Sequence, residues 1–341
     1  MNFDDFQKIK QILSKPKKIS IVTHRNPDGD AYGSSLALYL YLLKFDHEVT
    51  VLSPNDCPEF LKWLPEEDKI VIFENDTKIG TKIIEDSDII FTLDFNALHR
   101  VGVKMLKSLN KVTSIFVMID HHQEPEDYAT FKFVDPKICS TSQMIYQFIE
   151  NLDHLDYIDK DIATCLYTGI LTDTGSFRFP STNSDTHKIV AQLLEIGANN
   201  SEIYNNIHDV NTYDRMQLLS IALQNMEVIN KFHTAYITLS QNELNKFNFK
   251  KGDTEGFVNY ALSIKNVFFA AIFIEDRKQG IVKISFRSVG HFSVNEFSRN
   301  HFEGGGHINA AGGKSNLSLK NTVSKFLEIL PQYNDQLKQL S

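Results

Sequence analysis

The sequence between residues 18 and 120 alternates short apolar runs with longer segments of helical periodicity. The runs KISIVT, EVTVLS, DIIFTLDF and TSIFVMID have no regular polar alternation, which is typical of strands buried on both faces. Helical patterns separate them, in SSLALYLYLLKF and NALHRVGVKMLKSL. Strands that alternate with helices favour a parallel sheet covered on both sides. The sequence therefore predicts an α/β fold for the N-terminal domain.

The pattern changes twice along the rest of the chain. From about Ser140 to Gln224 it is mostly helical, and near Met226 a second alternation begins, with HTAYITLS, NVFFAAIFIED and GIVKISFRS as predicted strands. We therefore expect a catalytic, metal-binding domain over residues 1–195, a helical linker over 196–228 and a smaller α/β domain over 229–341 that binds substrate.

Composition limits the classes of partner and the compartment. A net charge of −8 and a pI near 5.8 argue against a protein that coats long duplex DNA. The three cysteines form no C-x-x-C pair, which suits a reducing compartment. The beginning, MNFDDFQKIKQ, is unlike a signal peptide, and the longest apolar stretch is shorter than the roughly 20 residues of a membrane span. We expect a cytoplasmic protein that does not contact membranes.

Acidic and histidine side chains follow four apolar segments. A single aspartate after a strand is most often a turn or N-cap residue, but the carboxyl ends of parallel strands meet at one edge, where ligands bind. Four such segments together favour a shared site. In chain order, the residues after them are His24, Asp28 and Asp30, then Asp94, then Asp120, His121 and His122, then Asp173.

A dinucleotide-binding loop is the main alternative for the first of these segments, HRNPDGDAYGSS. The G-x-G-x-x-G pattern is absent, since the loop has only Gly29 and Gly33. Asp28 and Asp30 would also repel a pyrophosphate unless a cation lay between them. The two carboxylates therefore favour a metal site over a nucleotide loop.

Charge indicates how many ions such a site would hold. Four carboxylates, from Asp28, Asp30, Asp94 and Asp173, would be neutralised by two divalent cations. Mixed aspartate and histidine ligands suit Mn²⁺, Zn²⁺, Fe²⁺ or Co²⁺ better than Ca²⁺ or Mg²⁺. Two such ions about 4 Å apart can activate water for attack on a phosphoryl group. The sequence thus predicts a two-metal hydrolase.

Five motifs carry a family resemblance. NPDGDAYGS, TLDFN, IDHHQ and LTDTGSFRF resemble, in order and spacing, the four motifs of the DHH phosphoesterase superfamily. FEGGGHINAAGG resembles the glycine-rich signature of the DHH-associated C-terminal domain. The chain is most similar to the NrnA-like branch, whose members are oligoribonucleases that also act as pAp phosphatases. The resemblance covers nearly the whole chain.

The resemblance implies a role for each matching position. His122 would face the scissile phosphate and assist departure of the leaving group, while Asp120 would orient a ligating imidazole. The remaining positions would bind the two ions: His24 and Asp28 on one ion, Asp30, His121 and Asp173 on the other, and Asp94 bridging both.

The C-terminal domain offers candidates for substrate binding. Gly304, Gly305, Gly306 and His307, followed by Asn309, exceed what a helix cap needs, and backbone N–H groups in such a loop can form a nest for phosphate. Relatives use the residue equivalent to Arg287 to hold a substrate phosphate, and Arg100 follows a predicted ligand loop. We expect the active site in the cleft between the domains.

The leading hypothesis is a Mn²⁺-dependent phosphoesterase that degrades short RNA oligonucleotides, dephosphorylates pAp, or does both, through attack by metal-activated water. A cyclic- or linear-dinucleotide phosphodiesterase is the nearest alternative. A pyrophosphatase or polyphosphatase and a non-catalytic nucleotide sensor rank lower. The preferred substrate, the polarity of digestion and the oligomeric state, with a homodimer as one option, stay open.

Overall fold

Two compact units make up the chain, the first ending at Val210 and the second beginning at Asn211. The computed structural model describes residues 3–339. The change of unit falls inside the predicted linker, residues 196–228. The two helices of that segment pack separately, one on the first unit and one on the second.

Six parallel strands form the sheet of the first unit. They are β1 (Lys18–Val22), β2 (Glu48–Ser53), β3 (Val71–Ile72), β4 (Ile89–Leu93), β5 (Ile115–Asp120) and β6 (Phe131–Val134). Their order is β3-β2-β1-β4-β5-β6, and every neighbouring pair is parallel. The central strands β1, β4 and β5 are buried along most of their length, as continuous apolar runs require. The predicted parallel sheet is confirmed.

Helices cover both faces of this sheet. They are α1 (Phe3–Leu13), α2 (Gly29–Leu42), α3 (Thr77–Asp86), α4 (Val103–Leu109), α5 (Thr141–Asn151), α6 (Lys160–Asp173), α7 (Ser184–Ile196) and α8 (Asn200–His208). Helices α2, α5, α6 and α7 share one core cluster, and α3 and α4 share another. Helix α2 approaches α6 closely at Gly33, where a Cβ would lie only 2.5 Å from the Cys165 carbonyl oxygen. The sheet is therefore buried between two layers of helices.

The strand order reverses between β1 and β4. From β1 the chain proceeds to β2 on one side, whereas β4, β5 and β6 follow on the other side. In open parallel sheets such a reversal leaves a crevice beyond the carboxyl ends of the two strands, where ligands bind. The residues that follow β1 and β4 consequently lie beside this crevice.

A second six-stranded sheet, of mixed direction, forms the second unit. Its strands are β7 (Glu227–Ile229), β8 (Thr234–Leu239), β9 (Phe269–Asp276), β10 (Ile281–Ser288), β11 (Gly305–Gly306) and β12 (Ala310–Ser315). The order is β11-β12-β10-β9-β8-β7, with β8 and β9 parallel and the other pairs antiparallel. This confirms the predicted α/β character of the C-terminal part.

The helices of the second unit are α9 (Tyr213–Gln224), α10 (Gln241–Lys246), α11 (Phe257–Leu262), α12 (Val294–His301), α13 (Leu319–Ile329) and α14 (Asn334–Lys338). An aromatic cluster that includes Phe269, Phe286, Phe297 and Phe326 joins α12 and α13 to the sheet. Within residues 3–339, no helix has both the length and the apolar content to cross a bilayer.

Candidate metal centre and substrate-binding residues

The loop after β1 places Asp28 at the start of α2, where it has two tasks. Its Oδ1 accepts hydrogen bonds from the backbone N–H groups of Asp30 and Ala31, both at 3.1 Å, so it is the N-cap. Its Oδ2 lies 3.8 Å from His24 Nε2. The N-cap and metal-ligand interpretations of this aspartate are therefore compatible, because each uses a different oxygen.

Asp94 directly follows β4 and lies between two imidazoles. Its Oδ2 is 3.3 Å from His24 Nε2, and its Oδ1 is 3.4 Å from His121 Nε2. The residue is buried and has a φ of 65°, a left-handed conformation that aspartate tolerates better than most side chains. The Thr141 hydroxyl donates a hydrogen bond of 3.1 Å to Oδ1. Each carboxylate oxygen thus faces a different histidine.

His121 gathers two further carboxylates. Its Nε2 lies 3.2 Å from Asp173 Oδ2 and 3.8 Å from Asp30 Oδ2. Asp173 is the last residue of α6, at the end of a helix rather than of a strand. The Asp30 carboxylate accepts backbone N–H groups at the start of α5, from Thr141 at 2.6 Å and Ser142 at 2.8 Å. Helices on one face of the sheet therefore complete the group begun by the strands.

Backbone carbonyl groups fix the orientation of both imidazoles. Nδ1 of His24 is 3.0 Å from the Arg25 carbonyl oxygen, and Nδ1 of His121 is 3.2 Å from that of Ile138. When Nδ1–H donates to these carbonyls, Nε2 of each neutral ring carries a lone pair directed at carboxylate oxygens. Lone pairs and anionic oxygens at this distance require a proton or a cation between them.

Ionisation of the cluster points to the same need for positive charge. Burial and the neighbouring Asp94 charge raise the pKa of Asp30 to about 8. Burial and the charges of Asp30 and Asp94 hold the pKa of Asp173 well above its usual range, despite the attraction of His121. Burial opposes ionisation of Asp94 as well, but hydrogen bonds with His121 and His24 hold its pKa well below normal. Positive charge beside these carboxylates would therefore favour their ionised forms.

Two groups of ligand atoms fit divalent cations. His24, Asp28 and Asp94 form one, and Asp30, Asp94 and His121 form the other, with the atoms of each group within 4.8 Å of one another. Both groups include Asp94. Each group combines imidazole nitrogen with carboxylate oxygen. Mn²⁺, Zn²⁺, Fe²⁺ and Co²⁺ accept such mixed ligands. The residues present therefore fit the two-ion site that the sequence predicts.

Asp120 contacts a different histidine from the one expected. We expected it to orient a ligating imidazole, but its Oδ1 lies 2.7 Å from Nδ1 of His122, whereas His121 uses the Ile138 carbonyl. Asp120 is the last residue of β5 and is fully buried, so it holds the His122 ring firmly. The physical reason is strand geometry, because residues two apart in an extended chain share one side.

Arg100 lies in the short helical turn that follows Asp94, and its carbonyl oxygen accepts the backbone N–H of Arg25 at 2.8 Å. The positive charge of Arg100 affects the pKa of His24. Burial lowers the pKa of His24, the hydrogen bond with Asp94 and the charge of Asp28 raise it overall, and the Arg100 guanidinium opposes the increase. The structure thus brings Arg100 within electrostatic reach of the cluster.

The glycine run of the second unit is a β-hairpin and not an open nest. The N–H of Gly306 donates to Asn295 Oδ1 at 2.9 Å, and that of His307 donates to the Ala310 carbonyl at 2.7 Å. The predicted loop of backbone donors is wrong for these two groups, because the protein itself accepts their hydrogen bonds. At Gly304 a Cβ would lie 1.9 Å from the Gly312 carbonyl oxygen, so close packing requires glycine there.

The other predicted substrate-binding residues of this unit lie beside the hairpin. The Asn309 side chain donates to Ser288 Oγ at 2.9 Å and to the Gly290 carbonyl at 3.0 Å, which ties the hairpin to the end of β10. Arg287 is paired in register with Ala310 of β12. Arg287, Asn309 and the glycine run are thus neighbours.

Sequence reasoning missed Thr141 and Ser142. Their backbone N–H groups hold the Asp30 carboxylate, and the Thr141 hydroxyl donates to Asp94. Nothing in their local sequence indicates these contacts.

Comparisons with known proteins show which family the chain resembles. Residues 18–170 match the DHH family, N-terminal domain, and residues 230–336 match the DHHA1 domain. A probable bifunctional oligoribonuclease and PAP phosphatase NrnA of Streptococcus mutans is 30% identical, over 90% of this chain and 93% of its own length. The bifunctional oligoribonuclease and PAP phosphatase NrnA of Thermus thermophilus is also 30% identical, over 91% and 88%.

A solved structure, of an exopolyphosphatase-related protein from Bacteroides fragilis, superposes with a TM-score of 0.95 at 38% identity, covering 99% of this chain and 98% of that one. The two family matches and the two relatives named NrnA confirm the predicted resemblance. This chain belongs to the DHH family and carries a DHHA1 domain in its C-terminal part.

Proposed function

We propose that this protein is a metal-dependent phosphoesterase that hydrolyses short oligoribonucleotides and dephosphorylates pAp. The observation that carries the proposal is the position of Asp94, whose two oxygens face His24 and His121 at 3.3 and 3.4 Å. A shared carboxylate between two ligand groups is the arrangement that phosphoryl hydrolysis by paired cations uses. The names of the relatives at 30% identity support this choice of substrates.

Six residues would hold two cations, most favourably Mn²⁺, in this proposal. When bound, the cations would neutralise the carboxylates, acidify a water molecule and polarise a phosphoryl oxygen. The ligands would be His24 and Asp28 for one cation, Asp30, His121 and Asp173 for the other, and Asp94 for both.

His122 would move a proton in the reaction. Its Nδ1 is held by the Asp120 carboxylate at 2.7 Å, and Nε2 is the atom proposed to exchange a proton with substrate. A proton on Nε2 can pass to the leaving oxygen as the bond to phosphorus breaks. The buried Asp120 carboxylate would hold the His122 ring in the orientation that this transfer requires.

Substrate-binding residues are proposed in each unit. Arg287 is proposed to bind a phosphate through its planar guanidinium, with Gly304, Gly305, Gly306, His307 and Asn309 forming the adjoining surface. Arg100 would bind a phosphate near His24. Short substrates need few such contacts, which is compatible with a net charge of −8. The proposal places the enzyme in the cytoplasm, where its three free cysteines would stay reduced.

A second candidate activity is hydrolysis of inorganic polyphosphate. It is favoured by the name of the Bacteroides fragilis protein, which is 38% identical and has the same fold. Both activities break phosphoanhydride or phosphoester bonds at the same cluster, so geometry alone does not separate them. Linear and cyclic dinucleotides form a third substrate group for the same chemistry.

Turnover of a substrate panel tests the proposal. The purified protein, loaded with Mn²⁺, should release phosphate from pAp and mononucleotides from RNAs of two to five nucleotides, and should act much more slowly on polyphosphate and cyclic dinucleotides. Asp94→Asn is the inactive control, since asparagine also tolerates a positive φ. Tight binding of pAp without turnover would instead identify a nucleotide sensor.

A further inference from the structure

A groove with a volume of about 530 Å³ lies between α3 and α4 on the first unit. Four lysines line it, two from each helix: Lys78, Lys82, Lys104 and Lys107. We call it the lysine groove. In a chain with a net charge of −8, such a concentration of positive charge is unusual, and none of the roles described above uses it.

Most of this charge is not neutralised by the protein. Among residues 3–339, no acidic side chain forms an ion pair with Lys78, Lys104 or Lys107, and all three are exposed. Lys82 pairs with Asp86 at 3.5 Å, and Glu85 also lines the groove. Three ammonium groups are therefore available to an anionic partner, against one exposed carboxylate in the lining.

The groove begins at the same edge of the sheet as the metal centre. Lys78 is the second residue of α3 and Lys104 the second residue of α4, and both helices start beyond the carboxyl ends of strands. Lys82 and Lys107 lie about one turn further, roughly 5 Å along each helix. The lysines thus form two successive pairs leading away from that edge.

Arg25 links the groove to the candidate metal centre. It follows His24 in the chain, and its backbone N–H donates to the Arg100 carbonyl at 2.8 Å. Its side chain lies 3.3 Å from where a Cβ of Gly102, the residue before α4, would be, and it pairs with Glu74. The Arg25 side chain therefore lies beside the start of α4, with its guanidinium paired to Glu74.

We propose that the lysine groove binds the phosphate backbone of single-stranded RNA beyond the nucleotides held at the metal centre, an inference that rests on the proposed function and extends it to longer oligoribonucleotides. Lysine acts as a point charge on phosphate and reads no base. The one aromatic side chain of the lining, Phe73, is buried and offers no surface for base stacking. The groove would therefore accept any sequence.

The test compares substrate lengths with a triple variant, Lys78→Gln, Lys104→Gln and Lys107→Gln. Its KM for a 12-nucleotide RNA should rise roughly tenfold with kcat unchanged, while pAp and dinucleotide turnover stay as in the parent, because these substrates are too short to reach the groove. The slope of log affinity against log salt should become less steep by about 2, from three phosphate contacts. The matched control carries Lys15→Gln, Lys160→Gln and Lys320→Gln, three exposed lysines elsewhere.

Direct binding separates this proposal from the proposed function. Anisotropy of a labelled 12-nucleotide RNA should show weaker binding by the triple variant, whether or not the parent cleaves RNA. If the parent turned over neither RNA nor pAp, the proposed function would be wrong, but the proposal for the lysine groove would still be tested by RNA binding. Equal RNA affinity of the parent and the triple variant would overturn the proposal that the lysine groove binds RNA. Binding to phosphatidylserine vesicles that depends on these lysines, with RNA binding unaffected, would also overturn it.

Discussion

The first sheet is parallel throughout, whereas the second is mostly antiparallel, and the two use the residues after their strands in different ways. After β1, β4 and β5, the chain places His24, Asp94 and His121 at the same edge of the sheet. Asp94 lies 3.3 Å from Nε2 of His24 and 3.4 Å from Nε2 of His121. Parallel strands end at one edge, so charged side chains that follow them accumulate there. The first unit thus brings several carboxylates together at one edge, although their mutual repulsion does not stabilise the fold.

At the glycine-rich end of the second sheet, by contrast, backbone atoms of neighbouring strands pack closely against each other. Residues 304–307 form a hairpin edge in which backbone groups bind other protein groups, and Gly304 touches the facing strand. Antiparallel strands joined by a short turn satisfy their own hydrogen bonds. Substitutions at the metal centre of the first unit should therefore change activity more than stability. Substitutions in the glycine-rich hairpin of the second unit should change stability more than activity.

The largest effect is expected for Asp173→Asn. This carboxylate lies at the negative end of the α6 dipole and beside Asp30 and Asp94, so its ionised form is unfavourable without a cation. Activity should fall roughly 10²- to 10³-fold. The melting temperature of the metal-free protein should rise by a few degrees, about 2–4 °C per kcal/mol. Steady-state kinetics and calorimetry measure the two changes.

Asp86→Asn is the matched control for that substitution. Asp86 is also the last residue of its helix, α3, but lies outside the ligand cluster, in an ion pair with Lys82. It should leave kcat and KM for pAp unchanged. A loss of stability in Asp173→Asn with full activity would contradict the contrast between the two regions.

The second-largest effect is expected for Thr141→Val and concerns metal affinity. The Thr141 hydroxyl donates a hydrogen bond of 3.1 Å to Asp94 Oδ1. Thr141→Val removes that hydrogen bond, keeps the side-chain shape and leaves the backbone N–H that binds Asp30. Residues that hold a ligand typically contribute 10- to 100-fold to metal affinity. Titration calorimetry with Mn²⁺ should show a loss of that size, while stability changes by about 1 kcal/mol or less.

Thr168→Val supplies the comparison for this variant. Thr168 is equally buried, but its hydroxyl donates only within α6, to the Thr164 carbonyl at 2.8 Å. Its Mn²⁺ affinity should match that of the parent. If both threonine variants lost affinity equally, the effect would reflect general packing rather than the position of Asp94.

A pair of glycine substitutions tests the second region. Gly304→Ala would place a Cβ 1.9 Å from the Gly312 carbonyl oxygen and should cost about 1–3 kcal/mol through overpacking. Gly305→Ala would meet its nearest atom at 3.4 Å and should change stability by about 0.5 kcal/mol or less. Urea unfolding, with hydrogen exchange of the β11 and β12 amides, measures the difference. Equal stability of the two variants would remove the packing explanation.

Much of the first sheet was predictable because burial on both faces leaves a local signal, a continuous apolar run. Strands β6 and β12 leave weaker signals. The segment Phe131–Val134 is short and alternates in burial, and AAGGKS contains residues that rarely favour strands. Pairing with β5 and β10 makes them strands, and such long-range pairing is not written in local composition.

The candidate ligands were predictable for a related reason, since residues that follow parallel strands meet at one edge. Contacts set by packing of distant elements were not. Thr141 reaches Asp30 only because the start of α5 packs against α2. The lysine groove likewise arises from two helices separated in the chain by β4. Motifs identify which residues carry the chemistry, and tertiary packing decides how they are held.

Proton release on metal binding gives the smallest and most specific test of the first region. In the metal-free cluster burial and the Asp94 charge raise the pKa of Asp30 to about 8, and burial holds the pKa of Asp173 well above its usual range. The carboxylates of Asp173, Asp94 and Asp30 likewise hold the pKa of His121 well above its usual range. These groups hold protons at neutral pH that a cation must displace. Affinity for Mn²⁺ should therefore increase with pH through the pKa of Asp30, about 8, by about tenfold per unit for each proton released. Calorimetry in buffers of different ionisation enthalpy counts the protons, and Asp173→Asn should release fewer than the parent. Binding enthalpy that is independent of the buffer would show that the carboxylates are already ionised, and that the cluster is balanced by something other than protons.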